Sequence, residues 1–183
     1  SLLNLQSRTV GDAQALEVLR DSQNRVRSMA LVHEKLYRSR DLSHVDLAEY
    51  ARNLAAYVFR TYGTRAAGRE LWTADLCPMQ VTIDTAIACG LIINELVSNS
   101  LKYAFPGHAA GKVYLALASD GADRARLTIG DNGVGLPPGL DYRQTDSLGL
   151  QLVNTLVRQI DGALTVSNVT GAEFVITFPV FRE

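Results

Sequence analysis

Apolar and polar positions recur along the chain with two periods, and each period predicts a class of element. Near the N-terminus Leu16, Leu19, Gln23, Val26, Ala30, His33 and Tyr37 follow one another at spacings of three and four, while Glu17, Arg20, Asp21, Arg25, Arg27, Glu34 and Lys35 fall off that seam. This is the stripe of a long helix, roughly 13–38, that packs against other helices. Gly11 breaks the chain before it and Asp12 is placed to cap it, so segment 1–8 reads as the end of an earlier helix. A single stripe cannot bury itself; the expected partners are that earlier helix and a second copy of the chain.

The pattern changes after Arg40. Asp46-Leu47-Ala48-Glu49 has capping-box spacing, and a helix to residue 62 would turn Leu47, Tyr50, Ala51, Leu54 and Val58 inward. Gly63 and Gly68 bracket a loop. Runs with a period of two predict strands at 70–76, 112–118, 125–130, 163–167 and 173–180, and apolar helical periods predict helices at 85–104 and 148–160. The division falls near Asp41: a partial antiparallel helical hairpin over 1–41, then an α/β domain over 42–183.

Composition narrows the classes. The chain has 183 residues, 47% apolar and 20% charged, which is enough apolar material for a core. Eighteen basic against nineteen acidic residues leave a net charge of −1, so no basic excess exists to neutralise a nucleic acid backbone. Cys77 and Cys89 have neither CxxC spacing nor a nearby histidine pair, which fits a reducing, cytoplasmic setting. No apolar run approaches the roughly 18 residues of a membrane span.

Three segments carry candidate chemistry. Glu95, Asn99, Lys102 and Tyr103 align on one strip of the predicted helix 85–104, an acid, an amide, a base and a phenol on an otherwise apolar helix. Asp131-Asn132-Gly133-Val134-Gly135 follows a strand but precedes Leu136-Pro137-Pro138-Gly139, which cannot serve as the second strand of a hairpin. Asp131 is an acceptor suited to an exocyclic amine such as that of adenine, and the glycines allow close ligand approach. Asp146-Ser147-Leu148-Gly149-Leu150 runs into a helix whose N-terminal N–H groups suit phosphate. No GxxxxGK[ST] and no GxGxxG opening a βαβ unit occur.

Together these segments resemble the nucleotide-binding domain shared by histidine kinases, type II topoisomerases, Hsp90 chaperones and MutL proteins, the GHKL superfamily. Residues 94–103 (Asn-Glu-Leu-Val-Ser-Asn-Ser-Leu-Lys-Tyr) look like its N box, 131–135 and 147–150 like its first two glycine boxes, and Gly171-Ala172-Glu173-Phe174 like the third. Segments 1–8 and 30–37 are similar to the dimerisation hairpin of the HisKA_2/HWE-like sensor histidine kinases of bacteria. The resemblance implies a two-layer α+β sandwich of the Bergerat type, ATP and Mg²⁺ as cofactors, a homodimer through the hairpin, and relay of phosphate from a histidine to the receiver domain of a response regulator.

It also implies roles. Asn99 would ligate Mg²⁺ and Glu95 would orient the attacking group or a water. Lys102 would pair with the phosphates and Tyr103 would border the nucleotide. Asp131, with Gly133 and Gly135, would hold adenine; Leu148, Gly149 and Leu150 would offer amides to phosphate; Gly171 would close the site. Ser147 stands where relatives often have glycine and Ala172 where they often have threonine. The lid, 136–146, is short and stiffened by proline, which implies limited closure. In this class the phosphoacceptor histidine precedes Ser1, so His33, His44 and His108 are not expected to accept phosphate, and the chain is expected to bind ATP or ADP without phosphorylating itself. A serine kinase of the anti-sigma-factor type and a catalytically silent nucleotide-sensing dimerisation module are the alternatives; the long helix 13–38 opposes the first and Glu95 with Asn99 the second.

Overall fold

A computed structural model describes residues 44–62, 71–106, 111–145 and 147–180, together with Val26 and Ala30. In chain order the elements are His44–Asp46 (β1), Leu47–Tyr62 (α1), Leu71–Leu76 (β2), Gln80–Thr82 (β3), Ile83–Asn99 (α2), a π-helical turn Ser100–Ala104, Lys112–Ser119 (β4), Arg124–Asp131 (β5), Leu148–Gln159 (α3), Ala163–Ser167 (β6) and Glu173–Pro179 (β7). Five strands form one sheet in the order β2-β4-β5-β7-β6. These are the five that alternation predicts, with ends shifted by at most one residue among the described positions. The ladder β1–β3, Val45 opposite Val81, is additional. Its strands are three residues each, too short to display a period of two.

Only β2 and β4 run parallel; every other neighbouring pair in the sheet is antiparallel. A parallel pair needs a crossover, and α2 supplies it across one face. From that face Val113, Leu115 and Leu117 of β4, Leu127 and Ile129 of β5 and Phe174, Ile176 and Phe178 of β7 point into the core, all buried. The α2 helix lies between α1 and α3 and is buried from Ala88 to Ser98. That position explains why its apolar residues fill more than one stripe. The result is the expected two-layer α/β sandwich.

The local chemistry of the helices follows the sequence. Asp46 Oδ1 accepts from the N–H groups of Ala48 at 2.9 Å and Glu49 at 3.2 Å, capping α1. Thr82 Oγ1 accepts from Thr85 N–H at 3.3 Å, so α2 begins before the predicted residue 85. The rings of Phe59 and Trp72 stack with centroids 5.3 Å apart and fasten α1 to β2. Tyr50 is buried with its hydroxyl lacking a partner, in the space that the missing Cβ of Gly90 leaves. Burial raises the Tyr50 phenol far above its ordinary value and pushes the neighbouring Cys89 thiol up to about 12.

The predicted helix 85–104 is not α-helical to its end, because its last turn is a π turn. Of the predicted hairpin, only Val26 and Ala30 are described; both are helical and exposed. The rest of that hairpin, with His33, lies outside the described residues, as do His108 and Asp146. No helix among the described residues is long and apolar enough to cross a membrane.

Candidate functional site

Where α2 and α3 splay above the C-terminal end of β5, a cavity of about 650 Å³ opens, within the range of small-ligand sites. Eight of the eleven residues expected at a site line it: Glu95, Asn99, Tyr103, Asp131, Gly135, Leu148, Gly149 and Leu150. Lys102, Gly133 and Gly171 do not.

Asp131 occupies one end. It is 4% exposed, and three donors from three segments meet its carboxylate. Ser100 Oγ donates to Oδ2 at 2.7 Å; Gly133 N–H and Ala172 N–H donate to Oδ1 at 3.0 and 3.3 Å. The backbone is tied as well: Asp131 N–H donates to Ala172 O at 2.9 Å, and Asn132 joins the start of β4 through its amide and its Oδ1. Gly171 backs this arrangement at φ +114, and a Cβ there would overlap Asp131 O. Its role is thus to let β7 pass under Asp131. A Cβ on Gly133 would fall on Ala104 O, so this glycine packs closely against the π turn.

Glu95 and Asn99 hold the other end. One helical turn apart on α2, both face the start of α3, where a Cβ on Gly149 would lie 2.9 Å from Glu95 Oε2 and 3.7 Å from Asn99 Nδ2. Ser147, the N-cap of α3, makes no side-chain capping bond. Among the described residues the N–H groups of Leu148, Gly149 and Leu150 therefore have neither intrahelical acceptors nor a side-chain cap, and these residues line the cavity at the positive end of the helix dipole. Among the described residues the lining holds two carboxylates, Glu95 and Asp131, and no cationic side chain.

Lys102 departs from the predicted strip. On an uninterrupted α-helix it would share the Glu95 face seven residues on, but each residue of the π turn advances by a smaller angle. Its Nζ instead lies over the Tyr62 ring, 5.3 Å from the centroid, while Tyr103 reaches the cavity rim at 63% exposed. The lid is pinned along its length. Asn168 brackets Leu136, accepting from its N–H at 2.7 Å and donating to its carbonyl at 3.0 Å. Asn154 Nδ2 donates to Tyr142 O at 2.6 Å and Gln151 Nε2 to Thr145 O at 2.7 Å.

No local pattern singles out Ser100 or Asn168, whereas Ala172 and Phe174, which line the cavity, fall in the segment that resembles the third glycine box. Ser100 is about 140° from Glu95 on a helical wheel, so no strip connects them; only the return of β5 brings Asp131 to it. Asn168 sits in a Ser-Asn-Val-Thr turn that resembles any other polar turn.

Residues 85–182 match the family described as histidine kinase-, DNA gyrase B-, and HSP90-like ATPase, and residues 1–62 match the HisKA_2 histidine kinase family. The sensor histidine kinase PdtaS of Mycobacterium tuberculosis is 35% identical over 186 residues, covering all of this chain and 36% of that protein. PdtaS of Mycolicibacterium smegmatis is 31% identical over 185 residues, again 36% of its length. The chain thus spans about a third of the curated relatives it matches. Among solved structures, the histidine kinase domain of the blue-light activated histidine kinase EL346 of Erythrobacter litoralis has a TM-score of 0.79 at 21% identity, covering 97% of this chain and 90% of that one.

Proposed function

The chain belongs to the family of histidine kinase-, DNA gyrase B- and HSP90-like ATPases, and from that premise we propose that its cavity binds ATP with Mg²⁺ as the catalytic part of a two-component sensor histidine kinase. The observation that carries this reading is Asp131: a buried carboxylate, held by three donors, in one cavity with Glu95 and Asn99. A carboxylate so held accepts from an exocyclic amine and fixes the base. The opposite end, with its open N–H groups on α3, suits phosphate.

The residues present fit a Mg²⁺–triphosphate. A triphosphate laid beside Glu95 would be repelled without an intervening cation, and the described lining residues include none. Asn99 Oδ1 and the Glu95 carboxylate are the oxygen donors available, which leaves most of an octahedral shell to phosphate and water. Bound ATP–Mg²⁺ would supply the transferable phosphoryl group and the charge that neutralises it. Leu148, Gly149 and Leu150 then donate N–H groups to phosphate oxygens. Lys102 exchanges the Tyr62 ring for phosphate, Tyr103 shields the rim, and Glu95 orients the attacking nitrogen. Gly133 and Gly171 shape the walls that keep Asp131 in place, and Gly135 lines the cavity beside Asn168.

The phosphoryl group would pass to a histidine other than His33, His44 or His108, and then to an aspartate of a response-regulator receiver domain, with region 1–41 forming a homodimer hairpin and 42–183 the ATP-binding domain. The HisKA_2 match over 1–62 favours this over a serine kinase of the anti-sigma-factor type. Calorimetric titration with ADP and ATP, with and without Mg²⁺, tests the site: micromolar to submillimolar binding is expected, and no binding refutes it. Incubation with γ-labelled ATP tests the acceptor; acid-labile label on this chain would show that one of its own histidines accepts phosphate.

A further inference from the structure

Of the three donors on Asp131, only Ser100 is a side chain, and the proposed chemistry leaves it without a role. Ser100 is 6% exposed, lines the cavity, and donates to Asp131 Oδ2 at 2.7 Å. A carboxylate offers about four acceptor sites. Gly133 and Ala172 take both on Oδ1 and Ser100 takes one on Oδ2, which leaves one acceptor site on Oδ2. A serine hydroxyl has a single proton and two lone pairs. With that proton committed to a buried carboxylate, Ser100 can turn only lone pairs toward the cavity. Oδ2 of Asp131 and Oγ of Ser100 therefore make an acceptor-only corner.

We propose that Ser100 is a specificity-determining residue: by locking its proton on Asp131, it makes the site take 6-aminopurine nucleotides and refuse 6-oxopurine ones. This rests on the proposed adenine-nucleotide site and deepens it. An exocyclic amine brings two N–H donors and can serve both oxygens. A 6-oxo group brings lone pairs against lone pairs. For Ser100 to turn its proton to the oxo group, Asp131 would lose a buried charge-assisted hydrogen bond, the kind that is costly to leave unmade. A water molecule in place of the hydroxyl would not refuse, since its two protons can serve Asp131 and an oxo oxygen together. The fold holds Ser100 where this works: α2 passes into its π turn at this residue, whose N–H bonds the Leu96 and Val97 carbonyls, and Val134 N–H bonds Ala104 O at 2.9 Å. The π turn, Ser100 and the loop after β5 are thus one unit.

Calorimetric titration of the whole chain and of Ser100→Ala and Ser100→Thr with ADP and with inosine diphosphate, its 6-oxo isostere, tests the proposal. The wild-type chain is expected to prefer ADP by at least about tenfold. Ser100→Ala should shrink that ratio about fivefold, the worth of one net hydrogen bond, and Ser100→Thr should restore it. Should the alanine variant not fold, Ser100→Cys, which keeps the volume with a weak donor, is expected to shrink the ratio in the same direction. An alanine or cysteine variant that discriminates as well as wild type overturns the role of Ser100 and leaves the adenine site standing. A wild-type chain that binds neither nucleotide, or both alike, overturns the adenine site and this proposal with it.

Discussion

The two ends of the cavity are built differently. At the Asp131 end the carboxylate already has three donors: sheet, π turn and the strand after Gly171 converge on it. At the Glu95 end the first turn of α3 lies open to the cavity. Among the described residues the N–H groups of α3 have no side-chain cap, Lys102 lies over Tyr62, and Glu95 Oε2 and Asn99 Nδ2 face the first turn of α3, where a cation would reconcile the carboxylate with phosphate. The contrast teaches that, in the proposed site, base recognition would be preorganised and phosphate recognition completed by the ligand. The first would cost little to use; the second would make binding conditional on the proposed Mg²⁺.

That contrast can be broken from either side. The largest effect is expected from Gly171→Ala, whose Cβ would meet the Asp131 carbonyl in a left-handed backbone conformation; a stability loss of about 2–4 kcal/mol should appear in urea unfolding. Asp131→Asn should leave the fold intact but weaken ADP about 10- to 100-fold, the value of hydrogen bonds to a charged group. Chelation of Mg²⁺, or Asn99→Ala, should weaken ATP about tenfold while adenosine binding stays unchanged; an equal loss for adenosine would show that the two ends are not separable. Lys102→Met should cost ATP only about two- to fivefold and adenosine nothing, since an exposed ion pair is worth at most about 1 kcal/mol. The smallest effect belongs to a site in neither end. Tyr50→Phe removes a buried hydroxyl without a partner, so thermal unfolding should shift upward or not at all, by no more than about 1 kcal/mol.

The sheet was legible because each of its five strands is long enough to alternate, and the Glu95–Asn99 face of α2 because an acid and an amide on an apolar helix stand out. The π turn was not legible. It is set by contacts with residues far along the chain, Ser100 with Asp131 and Ala104 with Val134, and no local period encodes them. Reading 85–104 as one α-helix therefore carried Lys102 to the cavity wall and left Ser100 off it. A glycine misled in a second way. Gly133 suggested room for a ligand, but the space its Cβ would fill belongs to the backbone of Ala104. A sequence shows that a side chain is missing, not what takes its place.

The stack of Phe59 on Trp72 has a practical consequence. Trp72 is the only tryptophan in the chain and lies outside the cavity lining, at the seam of α1 with the edge strand β2. Intrinsic emission excited at the indole band therefore reports on whether that seam is closed, and ADP added to a folded sample should leave it nearly dark to the experimenter. The same signal, followed through a melt, should register nucleotide as a rise in midpoint. One chromophore thus separates occupancy from integrity without any label.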